Sequence, residues 1–555
     1  MTTLLKSLLS QGYFAYIDVA LAEKYGAAES QEALIAYLSL AVRNGHLCVQ
    51  ILNNVMPQPK ILDSSEKGVS SYELNQLEKL IVEGSLNCLD PMIKEGHLFY
   101  FRRYWTKETT FIQNVQQLES SSPDFIFPQM EVANELLAEQ ADAIRLASKQ
   151  CLTIICGGPG TGKTYTAGQM IRHFWQAMTS EQKSKCRIAL AAPTGKAAAN
   201  LQNSLNRAVG HLENFKPIIA KTLHALLEVK FDGTRKRDAP RYLAADIVIV
   251  DESSMIDVDM MTQLFARIKT GARLILLGDK YQLPSVEAGS LFADLMEARP
   301  MFSVELKQCM RSELQGILNL AKSVKEGNTE RAINLLTSGE GITHLSIDKA
   351  QLLDYAFARF PQGKEDDFND LLNSFNSFKV LSSLRQGALG ADEFNSQLHK
   401  RALQKFQSGK FLVEPIILIG SDPNLKLFNG ESGVLVKKGP DINVGDFALF
   451  PDRNTGEGKV RQIPALVLPK FDYAYCLSVH KSQGSEYEHV LYLMPEGTEF
   501  FGREVFYTAV TRARLQLEIW GEKAILEQTI QRSSKRYSGI QERLPPVSIK
   551  DCQYA

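Results

Sequence analysis

The stretch Cys151–Thr164, CLTIICGGPGTGKT, constrains this chain more than any other. Leu152, Thr153, Ile154 and Ile155 form a short apolar run that reads as a buried strand. It breaks into Gly157-Gly158-Pro159-Gly160-Thr161-Gly162-Lys163-Thr164, a full G-x-x-x-x-G-K-T loop, and Tyr165–Trp175 then reads as a helix. Glycines let backbone N–H groups turn inward and approach phosphate oxygens closely. The N-terminus of the following helix adds partial positive charge. Lys163 is placed to neutralise β/γ-phosphate charge and the Thr164 hydroxyl to ligate Mg²⁺. A Gly-rich structural turn would not need Lys and then Thr directly after its last glycine.

The segments after this loop repeat the same grammar. Arg187–Ala192 is a second buried strand ending in Pro193-Thr194-Gly195-Lys196; Asp246–Val250 is a third ending in Asp251-Glu252; Arg273–Leu277 is a fourth ending in Gly278-Asp279. Strands alternating with helical stretches predict a doubly wound parallel sheet, which binds ligands beyond the carboxyl ends of its strands. A second α/β set follows, with strands expected at Phe378–Leu381, His489–Leu493 and Leu515–Ile519. Between about Gln386 and Asp472 the texture changes to short β runs (Ile416–Ile419, Gly433–Val436, Phe447–Phe450) with Gly, Asn and Pro turns, which reads as a small inserted β-barrel-like domain.

The N-terminal part reads as mostly helical, with Glu32–Val42 and Tyr72–Val82 at helical spacing and a strand-like Leu98–Trp105. It carries no catalytic cluster, so a packing or docking role is expected. Ser120-Ser121-Ser122-Pro123 reads as a linker, and the Ser-, Lys-, Arg- and Pro-rich C-terminus as a loosely packed tail. The expected domains are therefore residues 1–110; 111–300, with a basic hairpin insertion at about 226–243; 301–385 with 473–525; an insert at 386–472; and a tail at 526–555. That hairpin reads equally well as a solvated charged turn. A net charge of −1 carries no global signal for nucleic acid, so any such site must be a local groove. The eight cysteines form no C-x-x-C pair, which fits a reducing cytoplasm, with Cys151 and Cys156 as core residues. The N-terminus makes a poor signal peptide, and no apolar run approaches membrane-spanning length.

Chemistry is expected at the strand ends. Asp251 can hold Mg²⁺ opposite Thr164, and Glu252 can orient and deprotonate an attacking water. A plain helix N-cap is the alternative for Asp251-Glu252-Ser253, and the P-loop upstream weighs against it. Gln282, in Gly278-Asp279-Lys280-Tyr281-Gln282-Leu283-Pro284, can sense a γ-phosphate or the attacking water. Arg311 in QCMRS and Arg512 in YTAVTRAR belong to the second α/β set, where an arginine reaching the γ-phosphate would stabilise transition-state charge. For a lone arginine, a surface salt bridge is the better reading.

The ordered set GGPGTGKT, APTGKAA, VDESSMID, GDKYQLPSVEAG, QCMRS, SVHKSQGSEY and YTAVTRAR, spanning about Gln140 to Arg514, resembles the superfamily 1 DNA helicases, and within them the RecD family of exodeoxyribonuclease V (RecBCD) alpha subunits. The resemblance implies two RecA-like P-loop domains, a helical N-terminal domain that docks onto RecC, and an SH3-like insert at 386–472. It implies that Gln140 reads adenine, that Gly157 to Thr164 cradle ATP, and that Lys163, Thr164, Asp251, Glu252, Gln282, Arg311 and Arg512 serve Mg²⁺-dependent hydrolysis. It places Thr194, Gly195, Thr222, His224, His480, Ser482 and Gly484 along a single-strand DNA track or in its coupling to ATP, and makes the 226–243 hairpin a strand-separating pin. The implied activity is 5′-to-3′ translocation and unwinding at duplex ends, in complex with RecB and RecC, in break repair and degradation of linear DNA. No nuclease site is evident, since no compact acidic and lysine cluster lies outside the ATP motifs; the resemblance implies that the nuclease belongs to RecB. A stand-alone RecD-like helicase, a nucleotide-gated interaction subunit and an RNA helicase are the competing readings.

Overall fold

A computed structural model describes residues 3–52, 57–61, 70–86, 90–127, 136–210, 212, 215–229, 240–309, 315–361, 368–407, 410–422, 424–451 and 460–545. The P-loop strand, Leu152–Gly157, lies inside a six-stranded sheet ordered Lys221–Thr222, Ile188–Ala192, Ile247–Val250, Arg273–Gly278, Leu152–Gly157, Ser303–Leu306. Every neighbouring pair is parallel. The strands Leu152–Gly157, Ile247–Val250 and Arg273–Gly278 are buried along their whole length, as apolar runs covered by helices on both faces must be. Parallel pairing brings the P-loop, Thr194, Asp251 and Asp279 to one edge.

A second parallel sheet, five-stranded, is ordered Ile342–Leu345, Ala513–Gly521, Tyr487–Met494, Phe378–Ser382, Cys476–Ser478. Phe378–Ser382 and Cys476–Ser478 are neighbours in space, and the chain between them makes a detour. Helix Ala391–Lys405 comes first, and its Phe394 and Leu398 join the core that contains Phe378 and Val380. It therefore packs with the second sheet. The separate insert starts at Leu412, as a five-stranded antiparallel sheet ordered Val460–Pro464, Phe447–Pro451, Ser432–Lys437, Leu412–Leu418, Phe471–Tyr473. A buried ion pair, Lys437–Glu414 at 3.1 Å, ties it inward, and Glu414 also meets His399 at 2.6 Å and accepts from Tyr475 at 3.2 Å.

The N-terminal part has helices Thr3–Ser10, Tyr16–Tyr25, Glu29–Arg43 and Ser71–Gly84 and a small antiparallel sheet. Within LFYFRRYW only Leu98–Phe101 is strand; helix Arg102–Glu119 begins at once. That helix packs on Val258–Ala266, with the Phe111 and Phe265 rings 4.8 Å apart, so it belongs to the core of the first sheet. The Ser120–Pro123 segment is likewise held close: Ser121 O accepts from Cys151 Sγ, and Asp124 N–H donates to Gly271 O at 2.9 Å. The basic stretch at the centre of the 226–243 insertion lies outside the described residues. Its base is fixed by Arg267, which donates to Leu227 O and, at 2.8 Å, to Pro240 O. Among the described residues no helix is long and apolar enough to cross a membrane.

The expectation of a loose C-terminal tail needs correcting. After helix Lys523–Gln531, residues 532–545 run back across the molecule, and Ile540 and Leu544 are buried in the first sheet's core. The composition is polar because the polar groups make specific bonds. Glu108, 0 % exposed, accepts from Arg543 at 2.8 Å, Tyr100 at 2.8 Å and the Gly539 N–H at 3.0 Å. Arg543→Ala would leave this carboxylate buried without its cation, an expected loss of about 3–5 kcal/mol in strap docking. Hydrogen exchange at residues 539–545 should rise accordingly. Adding Glu108→Gln should recover part of the loss; unchanged exchange in Arg543→Ala would refute the assignment.

Candidate active site

The glycine before Lys163 sets the local geometry. Gly162 is left-handed (φ +82) and caps helix Lys163–Ala177, turning the helix N-terminus towards the loop. A Cβ there would also lie 2.9 Å from Gln140 Nε2, so the glutamine packs directly on the loop. Gln140 is buried, and its Oε1 accepts from Leu137 N–H at 3.3 Å. Thr161 closes the loop by donating from Oγ1 to Gly158 O at 2.8 Å. Lys163 Nζ donates to Gly157 O at 2.6 Å and to Gly158 O at 3.3 Å, folded over the loop whose backbone would cradle phosphate.

The carboxylates face this cradle from the end of strand Ile247–Val250. Thr164 Oγ1 donates to Asp251 Oδ2 at 3.0 Å, and the Glu252 N–H donates to Asp251 Oδ1 at 2.8 Å. Glu252 is held at φ +51, an uncommon conformation for a residue with a side chain and one concentrated at functional sites. Burial pushes both carboxyls up from their ordinary range, and the Lys163 charge draws both back down; Asp251 pushes Glu252 up further. Two buried polar atoms here have no hydrogen-bond partner among the described residues, Glu252 Oε2 and Gln282 Oε1. An orphaned buried acceptor is costly, so each of these atoms fits a site built for a ligand with its water. Among the described residues no cluster of three or more His, Cys, Asp or Glu exists to cage a metal. A carboxylate with a hydroxyl, as Asp251 and Thr164 provide, suits Mg²⁺ that arrives on phosphates.

The second sheet supplies the opposite wall. Arg512, 2 % exposed, is fixed by donating from Nε to Thr508 O at 3.0 Å and from Nη1 to Ser485 O at 3.1 Å. Its charge is among the causes that lower the affinity of Glu252 for a proton, after the Lys163 charge. Arg311 lies outside the described residues. Its neighbour Cys309 meets Pro159 O through Sγ at 3.6 Å, bringing that segment to the P-loop.

Sequence reasoning missed the stitches between the walls. Asp279 is fully buried, and its Oδ2 accepts from Tyr507 Oη at 3.0 Å and Gln282 Nε2 at 3.2 Å. Leu283 N–H donates to Thr508 Oγ1 at 2.8 Å, and Leu283 O accepts from Gln483 Nε2 at 2.8 Å. Tyr507 and Gln483 stand inside the motifs YTAVTRAR and SVHKSQGSEY, which was the available signal.

A second cleft, of about 340 Å³, adjoins the first and brings together Thr194, Gly195, Thr222, His224 and His480 from both parallel sheets. The insert contributes Ile417, Ser421 and Phe428 to the same walls, which sequence reasoning did not anticipate. The hydroxyls of Thr194 and Thr222 are also helix N-caps, accepting from Ala197 and Ala225 N–H. Ser482 departs from expectation. Its side chain is buried and donates to Val479 O at 2.7 Å, so it shapes the turn from beneath and offers no surface to a strand. Gly484 sits between the two clefts: its carbonyl accepts from Asn200 Nδ2 at 3.2 Å, and a Cβ on it would lie 3.9 Å from Glu252 Oε1.

Two RecA-like parallel sheets that meet at a P-loop cleft, with a buried arginine on the second and hydrogen bonds at Asp279 and Leu283 joining them, define a nucleotide-driven motor of the helicase class. An AAA domain model matches residues 135–346, and a UvrD-like helicase C-terminal domain model matches residues 473–519. The RecBCD enzyme subunit RecD of Mycolicibacterium smegmatis is 31 % identical over 94 % of this chain and 94 % of its own length. The RecBCD enzyme subunit RecD of Haemophilus influenzae is 27 % identical over 83 % of this chain and 82 % of its own. The ATP-dependent RecD2 DNA helicase of Deinococcus radiodurans is 29 % identical over 68 % of this chain and 48 % of its own. The chain belongs to the RecD family of superfamily 1 helicases.

Proposed function

We propose that this chain is an ATP-driven 5′-to-3′ translocase and helicase on single-stranded DNA, acting as the RecD subunit beside RecB and RecC at duplex ends. Its service is the repair of double-strand breaks by recombination and the degradation of linear DNA. The observation that carries the reading is Glu252: a carboxylate whose Oε2 is buried with no hydrogen-bond partner among the described residues, under the charges of Lys163 on its own wall and Arg512 of the second sheet's side. ATP lies on the P-loop with adenine against Gln140. Thr164 and Asp251 hold Mg²⁺, which supplies neutralisation of phosphate charge when bound. Glu252 takes the proton of the attacking water, Gln282 orients that water, and Lys163, Arg512 and Arg311 stabilise charge on the transferring phosphoryl group. Loss of the terminal phosphate removes what the arginines grip, so the walls part.

The adjoining cleft takes the strand. Thr194, Gly195, Thr222, His224 and His480 line it, and contacts to backbone phosphates give no sequence preference. Gly484 connects strand position to Glu252. Residues 412–473 act as an SH3-like insert over the cleft, the N-terminal helices dock onto RecC, and the 226–243 insertion is a strand-separating pin. Translocation polarity follows from family membership. The near-complete match to RecD subunits, against about half of the RecD2 helicase, favours the complex subunit over a stand-alone enzyme.

The test is ATP turnover and unwinding of 5′- and 3′-tailed duplexes, by the chain alone and with RecB and RecC. Single-stranded DNA should stimulate turnover at least about tenfold, 5′ tails should be unwound, and the partners should raise processivity. Turnover indifferent to DNA would leave a nucleotide-gated interaction subunit. Full activity without partners would leave the stand-alone enzyme, and stronger stimulation by RNA would leave an RNA helicase.

A further inference from the structure

The C-terminal strap is fastened in turn to the second sheet's side, the N-terminal domain and the first sheet's side. Near its start, Arg532 O accepts from Arg503 N–H at 2.8 Å, and Ser534 donates to Glu504 from N–H and Oγ at 2.8 and 2.9 Å, both on the second sheet's side. Further on, Tyr537 pairs with the N-terminal domain: its N–H donates to His46 Nδ1 at 3.0 Å and its carbonyl accepts from Leu47 N–H at 2.8 Å. Ser538 then donates to Asp294 on the first sheet's side at 2.6 Å. Between these anchors, Arg536 reaches the loop that carries Gln282. Its Nη1 donates to Glu287 O at 2.5 Å and to Ser285 Oγ at 3.3 Å.

The guanidinium lies on Gly45. That residue has φ +89, and a Cβ on it would fall 2.4 Å from Arg536 Nε. The Gly45 carbonyl accepts from Gly289 N–H at 2.9 Å, at the far end of the same loop. The loop tip makes little core of its own, since Val286 is 77 % exposed. Its near end is held across the nucleotide cleft at Leu283, as described; its far end is held by Arg536 and Gly45. The His480 imidazole, which lines the strand cleft, is kept below its ordinary pKa by burial first and by the Arg536 charge second.

We propose that Arg536 is a positioning residue for the Gln282 loop, pinning its far end to Gly45 of the N-terminal domain so that Gln282 is set for hydrolysis only while the C-terminal strap is seated. The inference rests on the reading of Gln282 as the residue that orients the attacking water. It makes the N-terminal domain and the strap part of the coupling between strand and nucleotide.

The experiment compares wild type, Arg536→Ala, Arg536→Lys and Gly45→Ala in the full chain, reading kcat and KM for ATP with and without single-stranded DNA, plus thermal melting. Lys535→Ala is the control, since that exposed lysine pairs with Glu297 at 3.2 Å. Arg536→Ala should lower DNA-stimulated kcat by about 10- to 100-fold with KM for ATP within about twofold, the signature of a displaced but unliganded group. Arg536→Lys should recover most of it, because one ammonium can still donate to Glu287 O. Gly45→Ala should reproduce the defect by pushing the guanidinium aside. Wild-type kcat in Arg536→Ala, or a loss of kcat that tracks a fall in melting temperature and that Lys does not rescue, would overturn the inference alone. A wild type that DNA fails to stimulate would overturn the functional reading and the inference with it.

Discussion

Glu252→Gln is expected to lower kcat for ATP hydrolysis by about 10³-fold while nucleotide binding survives. The substitution keeps shape and removes the only property that proton transfer needs. Binding survives because the cradle is made by the P-loop backbone and Lys163, whose contacts to Gly157 and Gly158 do not involve Glu252. Stability should move the other way. The wild-type carboxyl is buried, carries an unpartnered oxygen and sits beside Asp251, so removing its charge relieves a cost in the nucleotide-free chain. The variant should therefore melt higher than wild type without nucleotide, while being nearly inactive. Steady-state turnover, binding of a fluorescent nucleotide and a melting curve check the three parts. Turnover within about tenfold of wild type would remove Glu252 from the reaction; loss of binding in step with turnover would make it part of the cradle.

How much of this was legible beforehand depended on how local each cause is. Ile247–Val250 and Arg273–Gly278 could be read because strands buried on both faces are continuous apolar runs, and each ends in its functional carboxylate. The P-loop could be read because its geometry demands glycine at fixed positions. The edge strands Lys221–Thr222 and Ser303–Leu306 could not, being short and half polar. The helix starting at Arg102 was obscured by the aromatic strand before it, and its place in the first core depends on Phe265, far along the chain. The strap was misjudged for the same reason. Composition reports what a segment would do in water, whereas Arg543 and Arg536 are ordered by Glu108, Glu287 and Gly45, distant in sequence. The bond from Tyr507 to Asp279 could not be read because nothing local says that the tyrosine will donate to it.

Arg512 gives the other large effect, because its placement is geometric as well as electrostatic. Its guanidinium uses Nε, Nη1 and Nη2 at once, on Thr508 O, Ser485 O and, at 3.3 Å, Thr511 Oγ1. A planar fork can satisfy three acceptors in fixed directions and still present charge to the cleft; an ammonium on a flexible stem cannot. Arg512→Ala should therefore cost about 10³-fold in kcat, the range for an arginine that stabilises a transferring phosphoryl group. Arg512→Lys should recover little of that although it keeps the charge, and affinity for ATP in the open form should stay within a few-fold of wild type. The alanine variant also removes the donor to Ser485 O, at a cost of about 1–3 kcal/mol, whereas Thr508 O keeps the Thr511 hydroxyl, so melting should be recorded beside turnover. If Arg512→Lys restored most of the rate, point charge alone would suffice and the fork would be structural. If Arg512→Ala turned over ATP normally, closure of the cleft on a terminal phosphate could not be the event that drives the motor, because Arg512 is the cation on the second sheet's side whose charge acts on Glu252.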